Sequence, residues 1–284
     1  MDKPAGMTSH DVVQRVRRVL GIRAVGHTGT LDPFATGLLV VLVGRATRLA
    51  RFVEKESKTY LATARLGVRT DTDDLTGRTI GTSEAAGEVD ERRIMDTLSG
   101  FVGTQFQRPP QYSAKHIGGE RSYEKARRGE IAELADVSVT VEQLELMHYR
   151  PPLVTFRAVV SPGTYIRALA RDVGERLGVG GHLTSLRREA IGSLRVEDAT
   201  PIERLSSESI VSPRAVLGRI PSVELDAESV VAVAQGRAVV DGWAAEQQGS
   251  AAVALLASGE LVAVARRGDG LLHPIVVLRS QGSE

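Results

Sequence analysis

The order of helix-like and strand-like patterns is the feature of this sequence that most constrains its fold. Helical spacing covers residues 8–21, 90–98 and 165–177. Strand patterns cover residues 38–43, 59–66, 137–147 and 153–161. Because helices and strands follow one another without regular alternation, the sequence predicts an α+β fold and not a doubly wound one.

The character of the chain changes near Pro221. Beyond it come short valine- and alanine-rich segments separated by glycine turns, a pattern typical of a small β domain. A chain of 284 residues also exceeds the usual size of one domain. We therefore expect a first domain over residues 1–220 and a second, mostly β domain over residues 221–284.

The absence of cysteine excludes disulfides, thiolate metal sites and cysteine nucleophiles. It agrees with a reducing cytoplasm, which is the predicted location. The longest apolar run, residues 38–43, is far too short to span a bilayer, so no membrane association is expected.

Charge is distributed unevenly along a chain whose net charge is only +1. Residues 1–70 hold twelve Lys and Arg against five Asp and Glu, a balance of +7, whereas residues 221–284 hold four against eight, a balance of −4. A binder of a polyanion has this polarity if its basic part forms one face. Charge alone favours ordinary solvated surfaces over such a binding face.

The stretch GHTGTLDPFATGLL, residues 26–39, places a single acid, Asp32, directly before a proline. Pro33 disfavours the helical conformation at Asp32, which leaves two interpretations. Asp32 is either the N-cap of a helix with Pro33 at its first position, or an exposed acid at a cleft. Neighbouring polar groups and three glycines favour an exposed acid at a cleft. A metal site is not expected, because His27 has no second ligand at metal-binding spacing.

Five stretches of the chain resemble successive signatures of the bacterial TruB family, the tRNA pseudouridine-55 synthases. They are DKPAGMTSHDVVQRVRR, GHTGTLDPFATGLLVVLVGRATRL, KTYLATARLGVRTDTDDLTG, QRPPQYSAKHIGGERSYEKARRG and SPGTYIRALARDVGERLG. They occur in the order of the family and cover most of residues 2–192. Members of this family have a short apolar strand before the DKP motif, and this sequence begins at Met1-Asp2.

The resemblance implies a fold and an activity. The fold is the pseudouridine synthase fold, a mixed central sheet flanked by helices, with a small C-terminal β-rich domain similar to the RNA-binding PUA domain. The activity is that of an isomerase without cofactor or metal, which converts uridine 55 in the TΨC loop of tRNA to pseudouridine. The implied partner is the T-arm of tRNA, with no protein partner and a monomeric enzyme.

The resemblance also implies roles in the active site. Asp32 matches the catalytic aspartate, which attacks the ribose, attacks C6 of the base or removes a ribose proton; these alternatives stay open. Arg167 matches its partner, and a nearby cation lowers the pKa of a carboxyl by about one to three units. Tyr60 matches a tyrosine that packs on the target base, and Tyr165 and Leu186 match walls of the uracil pocket.

Further residues are implied in RNA binding or support. His27 matches a histidine that approaches the RNA loop and favours its extruded conformation. Residues 104–135 correspond to an insertion that clamps the tRNA arm, with basic side chains suited to phosphate contact. They are Arg108, Lys115, Arg121, Lys125, Arg127 and Arg128. Lys3 is expected to support the floor of the active site.

Two other classes of function fit the same sequence. One is an RNA-binding or tRNA-folding protein in which catalysis is secondary. The other is a guide-dependent pseudouridine synthase, whose family shares the aspartate motif and works inside a ribonucleoprotein. The presence together of Asp32, Arg167 and Tyr60 favours an enzyme, and the long insertion after Gly103 favours one that acts alone.

Overall fold

The structure, a computed structural model, describes residues 1–112, 134–218, 220–242 and 252–278, together with the backbone of residues 116–117 and 120–121. The helices are α1 Ser9–Leu20, α2 Ala50–Glu54, α3 Glu91–Ser99, α4 Ile166–Arg176 and α5 Ala227–Ala234. Short 3₁₀ helices cover Gly44–Leu49, Glu84–Glu88, Val196–Asp198, Ile202–Arg204, Ser207–Ser209 and Pro213–Leu217.

The strands begin and end as follows. They are β1 Asp2–Lys3, β2 Val25–Thr28, β3 Thr36–Leu38, β4 Val40–Val43, β5 Lys58–Leu66, β6 Val68–Thr70, β7 Thr79–Thr82, β8 Gly103–Gln107, β9 His116–Ile117, β10 Glu120–Arg121, β11 Val137–Arg150, β12 Leu153–Val160, β13 Gly181–Ile191, β14 Leu194–Arg195, β15 Ser222–Glu224, β16 Val239–Val240, β17 Ala252–Ala257, β18 Glu260–Gly268 and β19 Leu271–Val277.

An eight-stranded sheet forms the centre of the molecule. Its order is β1-β3-β13-β5-β12-β11-β8, and β14 pairs with β13. The β3–β13 pair is parallel and the other pairs are antiparallel, so the sheet is mixed. Helices α1, α3 and α4 contribute to the same buried core as the alternate residues of β5, and this arrangement confirms the predicted α+β class.

Local signals explain where α1 begins and ends. Thr8 accepts a hydrogen bond from the Asp11 amide while the Asp11 carboxylate accepts one from the Thr8 amide, a reciprocal N-terminal cap. Gly21 ends the helix in the left-handed conformation, which glycine adopts without steric cost. The predicted helix over residues 8–21 is thus confirmed.

The predicted single strand over residues 38–43 is wrong. The structure has two strands there, because β3 joins the central sheet beside β13 whereas β4 pairs with β2 in a separate ribbon. Leu39 lies between them and is fully buried. A continuous apolar run does not reveal that its two halves enter different sheets, since both halves are buried.

A second, five-stranded sheet contains the C-terminal strands in the order β15-β17-β18-β19-β16. It packs on the first part of the chain through an apolar cluster that includes Leu49, Leu217 and Leu256. The domain boundary expected at residue 220 stays a prediction. Among the described residues, no helix combines the length and the apolar character that crossing a membrane requires.

Candidate active site

Asp32 lies in a turn and not at the start of a helix. Pro33 and Phe34 form the turn, and the Ala35 amide donates to the Asp32 carbonyl at 3.1 Å. The interpretation of Asp32 as a helix N-cap is therefore wrong. Its side chain keeps 32% of its surface accessible, so the carboxylate faces solvent from a mostly enclosed position.

Three anchors hold the residues around Asp32. The Ser9 hydroxyl accepts a hydrogen bond from the Leu31 amide at 2.9 Å and so ties the start of α1 to the residue before the acid. Lys3, fully buried, donates to the carbonyl oxygens of Pro4, Met7 and Pro33. Because Pro33 directly follows the acid, Lys3 ties the N-terminal segment to the backbone beside Asp32.

The third anchor is Arg188 on β13, a fully buried side chain. Its Nη2 donates to the Gly29 carbonyl at 2.9 Å and its Nε donates to the Leu38 carbonyl at 2.7 Å. Gly37 has a φ of +101° and lies so close to the Arg188 backbone that a Cβ would stand 2.3 Å from the Arg188 carbonyl oxygen. Only glycine fits where the motif passes β13.

Arg167 binds Asp32 directly. The guanidinium Nε lies 3.0 Å from Asp32 Oδ2, and Nη2 donates to Asp32 Oδ1 at 3.3 Å, a two-point contact that orients the carboxylate. Arg167 projects from the first turn of α4, and 7% of its side chain is accessible. The structure thus brings together the two residues on which the predicted chemistry depends.

Arg167 also binds a second carboxylate, Asp74, which the sequence did not single out. Nη1 lies 3.3 Å from Asp74 Oδ2 and donates to the Thr72 carbonyl at 3.0 Å, and Nη2 donates to the Tyr112 carbonyl at 2.8 Å. These contacts and those to Asp32 use every N–H direction of the guanidinium. As long as its backbone keeps its place, Arg167 therefore cannot turn away from Asp32.

The Asp74 side chain is itself fully bonded. Its Oδ1 accepts hydrogen bonds from the Thr72 hydroxyl at 2.8 Å and from the Thr76 amide at 2.9 Å and hydroxyl at 2.5 Å. Only 5% of the side chain is accessible. Within the turn-rich loop predicted over residues 70–78, no local signal distinguishes Asp74 from Asp71 or Asp73, since its role depends on a residue 93 positions away.

Burial raises the pKa of Asp32 above its ordinary value of 3.8, and the charge of Asp74 adds to this effect. Arg167 and Lys3 act in the opposite direction but do not cancel it. The resemblance to the family predicted instead that Arg167 lowers the pKa of Asp32. The direction differs because Arg167 shares its charge with Asp74, while enclosure withdraws water from the Asp32 carboxylate.

Two of the predicted pocket residues lie on one sheet face. Tyr60 on β5 and Leu186 on β13 are both buried, and Leu186 pairs with Ala62, two residues beyond Tyr60 on the same face. Tyr165 is half-buried and directly precedes α4, two positions before Arg167. Their predicted contact with uracil stays a prediction.

His27 lies on β2 in the same motif as Asp32. Its Nδ1 is buried and has no hydrogen-bond partner among the described residues. Burial and the charge of Arg188 lower the pKa of His27, which favours the neutral ring near neutral pH. The predicted role of His27 in recognition stays a prediction.

Among the predicted phosphate ligands, only the side chain of Arg108 is described. It is exposed, lies 3.7 Å from Asp136, and lines a cavity of about 510 Å³ with Phe106 and Arg171. For Arg121 the structure describes the backbone alone, in β10. The positions Lys115, Lys125, Arg127 and Arg128 lie outside the described residues.

Within the described ranges, no group of three or more His, Asp or Glu side chains is arranged to hold a metal ion. Asp32, Asp74 and Arg167 form one ion network instead, with the arginine between the two acids. This arrangement can hold an ionised carboxylate in a fixed direction while part of its surface stays accessible, which suits nucleophilic or basic chemistry.

The raised pKa of Asp32 predicts how activity depends on pH. If ionised Asp32 is required, kcat/KM falls on the acid side through a pKa above 3.8. Since Asp74 raises the pKa of Asp32, Asp74→Asn is expected to move this limb to lower pH. Asp71→Asn, in the same loop, serves as the control. A limb that moves equally in both variants, or upward in Asp74→Asn, would contradict the assignment.

The sequence of this chain matches a known protein family. Residues 17–166 match the family described as "TruB family pseudouridylate synthase (N terminal domain)". The chain is 44% identical over 289 residues to "tRNA pseudouridine synthase B" of Thermobifida fusca, with 98% of this chain and 96% of the relative covered. It is 45% identical over 236 residues to the protein of the same name from Gloeobacter violaceus, covering 80% of each.

A solved structure has the same architecture. The chain resembles one chain of "Crystal Structure of a Cbf5-Nop10-Gar1 Complex" with a TM-score of 0.75 and 26% identity, covering 99% of this chain and 84% of that one. The match extends over both sheets, which agrees with a pseudouridine synthase fold and a PUA-like C-terminal part. With a family match over more than half of its length and near full-length similarity to curated relatives, this chain belongs to the TruB family of pseudouridylate synthases.

Proposed function

We propose that this chain is a tRNA pseudouridine synthase that converts uridine 55 of the TΨC loop to pseudouridine. The reaction breaks the bond between C1′ and N1, turns the uracil and joins C1′ to C5. The C5 proton is released and N1 gains one, so atoms balance without oxidant, reductant or cofactor. The observation that carries the proposal is the two-point contact between Arg167 and Asp32 in a TruB family chain.

Each described residue has a task in this reaction. Asp32, held as a carboxylate by Arg167, acts on the ribose or the base; the three chemical alternatives for its first step stay open. Tyr60 stacks on the uracil, which offsets about one to three kcal/mol of the cost of taking the base out of its loop. Tyr165 and Leu186 form the pocket walls, and His27 contacts the RNA loop.

The proposed enzyme acts alone, as a monomer in the cytoplasm, on the T-arm of tRNA. Relatives at about 40–45% identity carry the name of a tRNA enzyme, which supports this substrate. The similar solved structures are ribonucleoprotein components, including one titled "Structure of H/ACA RNP bound to a substrate RNA containing 2'-deoxyuridine". That likeness, at 24% identity, concerns the fold alone and keeps guide dependence as the alternative to be tested.

Tritium release separates these functions. A tRNA transcript labelled at uridine C5 is incubated with the purified chain and without guide RNA, and a transcript with cytidine at position 55 is the control. We expect release from the first transcript only. Tight tRNA binding without release would favour a tRNA-folding protein, and release only after a guide RNA is added would favour the guide-dependent class.

The basic insertion gives a second prediction of the tRNA proposal. Replacing Lys125 and Arg127 together with alanine is expected to weaken tRNA binding and to flatten its dependence on salt, with the slope of log Kd against log salt falling by up to about two. Binding measured between low and moderate salt checks this. An unchanged slope would remove both residues from the phosphate contacts.

A further inference from the structure

The side chain of Gln107 bonds both the amide and the carbonyl of the Tyr165 backbone. Its Oε1 accepts from the Tyr165 amide at 2.8 Å, and its Nε2 donates to the Tyr165 carbonyl at 3.1 Å. Gln107 ends β8, at the edge of the central sheet, and is 4% exposed. A buried amide thus binds Tyr165 as a neighbouring strand would, across 58 positions of sequence.

Tyr165 is the point from which α4 starts. The Tyr165 side chain does not cap the helix, and the amide of Tyr165 is bonded by Gln107 instead. Arg167 follows two positions later and reaches both Asp32 and Asp74. A shift of Tyr165 would therefore move the predicted pocket wall and the partner of Asp32 together.

The residues after Gln107 follow the same helix. The Arg108 carbonyl accepts from Arg171 at 2.9 Å, and the Tyr112 carbonyl accepts from Arg167 at 2.8 Å. Residues 107–112 are thus bonded to α4 or its start at three points along the helix. Of these three contacts, the one made by Gln107 runs from a side chain of this segment to the backbone of its partner, and it involves the predicted pocket residue Tyr165 itself.

We propose that Gln107 is a positioning residue for the isomerisation, which sets the place of Tyr165 and of Arg167 by holding the Tyr165 backbone. This inference rests on the proposed function, since Tyr165 is assigned to the uracil pocket there. Gln107 acts through Tyr165 and contacts no reacting atom in this assignment. Misplacement of a reacting group by about 1 Å costs on the order of 100-fold in rate, so the expected effect is on turnover.

Gln107→Met tests the bond with little change in side-chain volume. It leaves the Tyr165 amide without its partner, while the Tyr165 carbonyl keeps its bond from the Leu169 amide. We expect kcat to fall by about 10- to 100-fold and the Kd for tRNA to change less than about threefold. Gln105→Met is the matched control on the same strand, because the Gln105 side-chain amide bonds the nearby Phe101 carbonyl and no other group among the described residues; its kcat is expected to stay at the wild-type value.

Gln107→Glu supplies a readout that a merely structural role would not move. A protonated carboxyl group donates to the Tyr165 carbonyl and accepts from its amide, as glutamine does, whereas the ionised group only accepts. Burial raises the pKa of such a group, so the activity relative to wild type is expected to rise as the pH falls from about 8 to about 6. The relative activity of Gln107→Met is expected to stay flat over the same range.

The outcomes separate this inference from the proposed function. If the wild-type chain is active and Gln107→Met has the same kcat, the role of Gln107 is overturned and the proposed function stays intact. A relative activity of Gln107→Glu that does not depend on pH would overturn it as well, even if Gln107→Met fails to fold. Absence of tritium release by the wild-type chain, in contrast, would refute the proposed function itself.

Discussion

Replacing Asp32 with asparagine is expected to lower tritium release by roughly 10⁴-fold or more, to the level of the reaction without enzyme. Asparagine keeps the shape of the side chain and its acceptor oxygen, but it supplies neither a nucleophile nor a base. The Kd for tRNA is expected to change little, since the phosphate ligands predicted for tRNA lie in residues 104–135 and not at Asp32. Measuring single-turnover release and tRNA binding on the same preparation checks both statements.

The same substitution is expected not to destabilise the protein. The pKa of Asp32 is raised in the folded chain, so the neutral form is the one that folding favours. The stabilising contribution of this group is present below the unfolded pKa, near 3.8, and is lost as the pH rises through the folded value. At neutral pH the ionised acid therefore opposes folding. A Tm for Asp32→Asn clearly below wild type would contradict this account.

Replacing Arg167 with methionine is expected to reduce both turnover and stability. Loss of the guanidinium removes the group that orients Asp32, and we expect kcat to fall by about 10²- to 10³-fold, far more than tRNA affinity. It also leaves Asp74, only 5% exposed, without its cation. Breaking one half of a buried ion pair costs about 3 to 5 kcal/mol in the free energy of unfolding.

A double variant separates these two effects. Arg167→Met with Asp74→Asn removes the buried pair as a unit, so much of the lost stability is expected to return while turnover stays low. Denaturant unfolding and tritium release measured on the single and double variants supply the comparison. If Arg167→Met kept its turnover and lost tRNA affinity instead, Arg167 would be a phosphate ligand and not the partner of Asp32.

Local patterns were sufficient for the elements that carry the site. The cap and stop of α1, the alternation of β5 and the spacing of α4 all predict elements that the structure contains within one or two residues. These signals work because capping and amphipathic burial depend on residues a few positions apart. β13, which carries Leu186 and Arg188, was not predicted, since its first three residues are buried in succession and one of its later buried positions holds the charged Arg188.

Residues of the candidate site could be predicted only where they match a family motif with a known role. Asp32 and Arg167 followed from resemblance to a family, and the structure places them in contact across 135 positions. Asp74 and Gln107 were missed, although both lie in stretches that carry that resemblance. A buried aspartate in a threonine-rich turn and a glutamine at a strand end look ordinary until their partners are known.

The sequence by itself determined the fold class and the family and singled out Asp32 as the candidate acid, because these depend on local spacing and on motifs that can be recognised without coordinates. The tertiary structure alone decided which carboxylates share Arg167, in which direction the pKa of Asp32 moves, and what holds the start of α4. The physical reason is that enclosure and hydrogen-bond geometry arise between residues brought together from distant positions, and these set the energy of a buried charge.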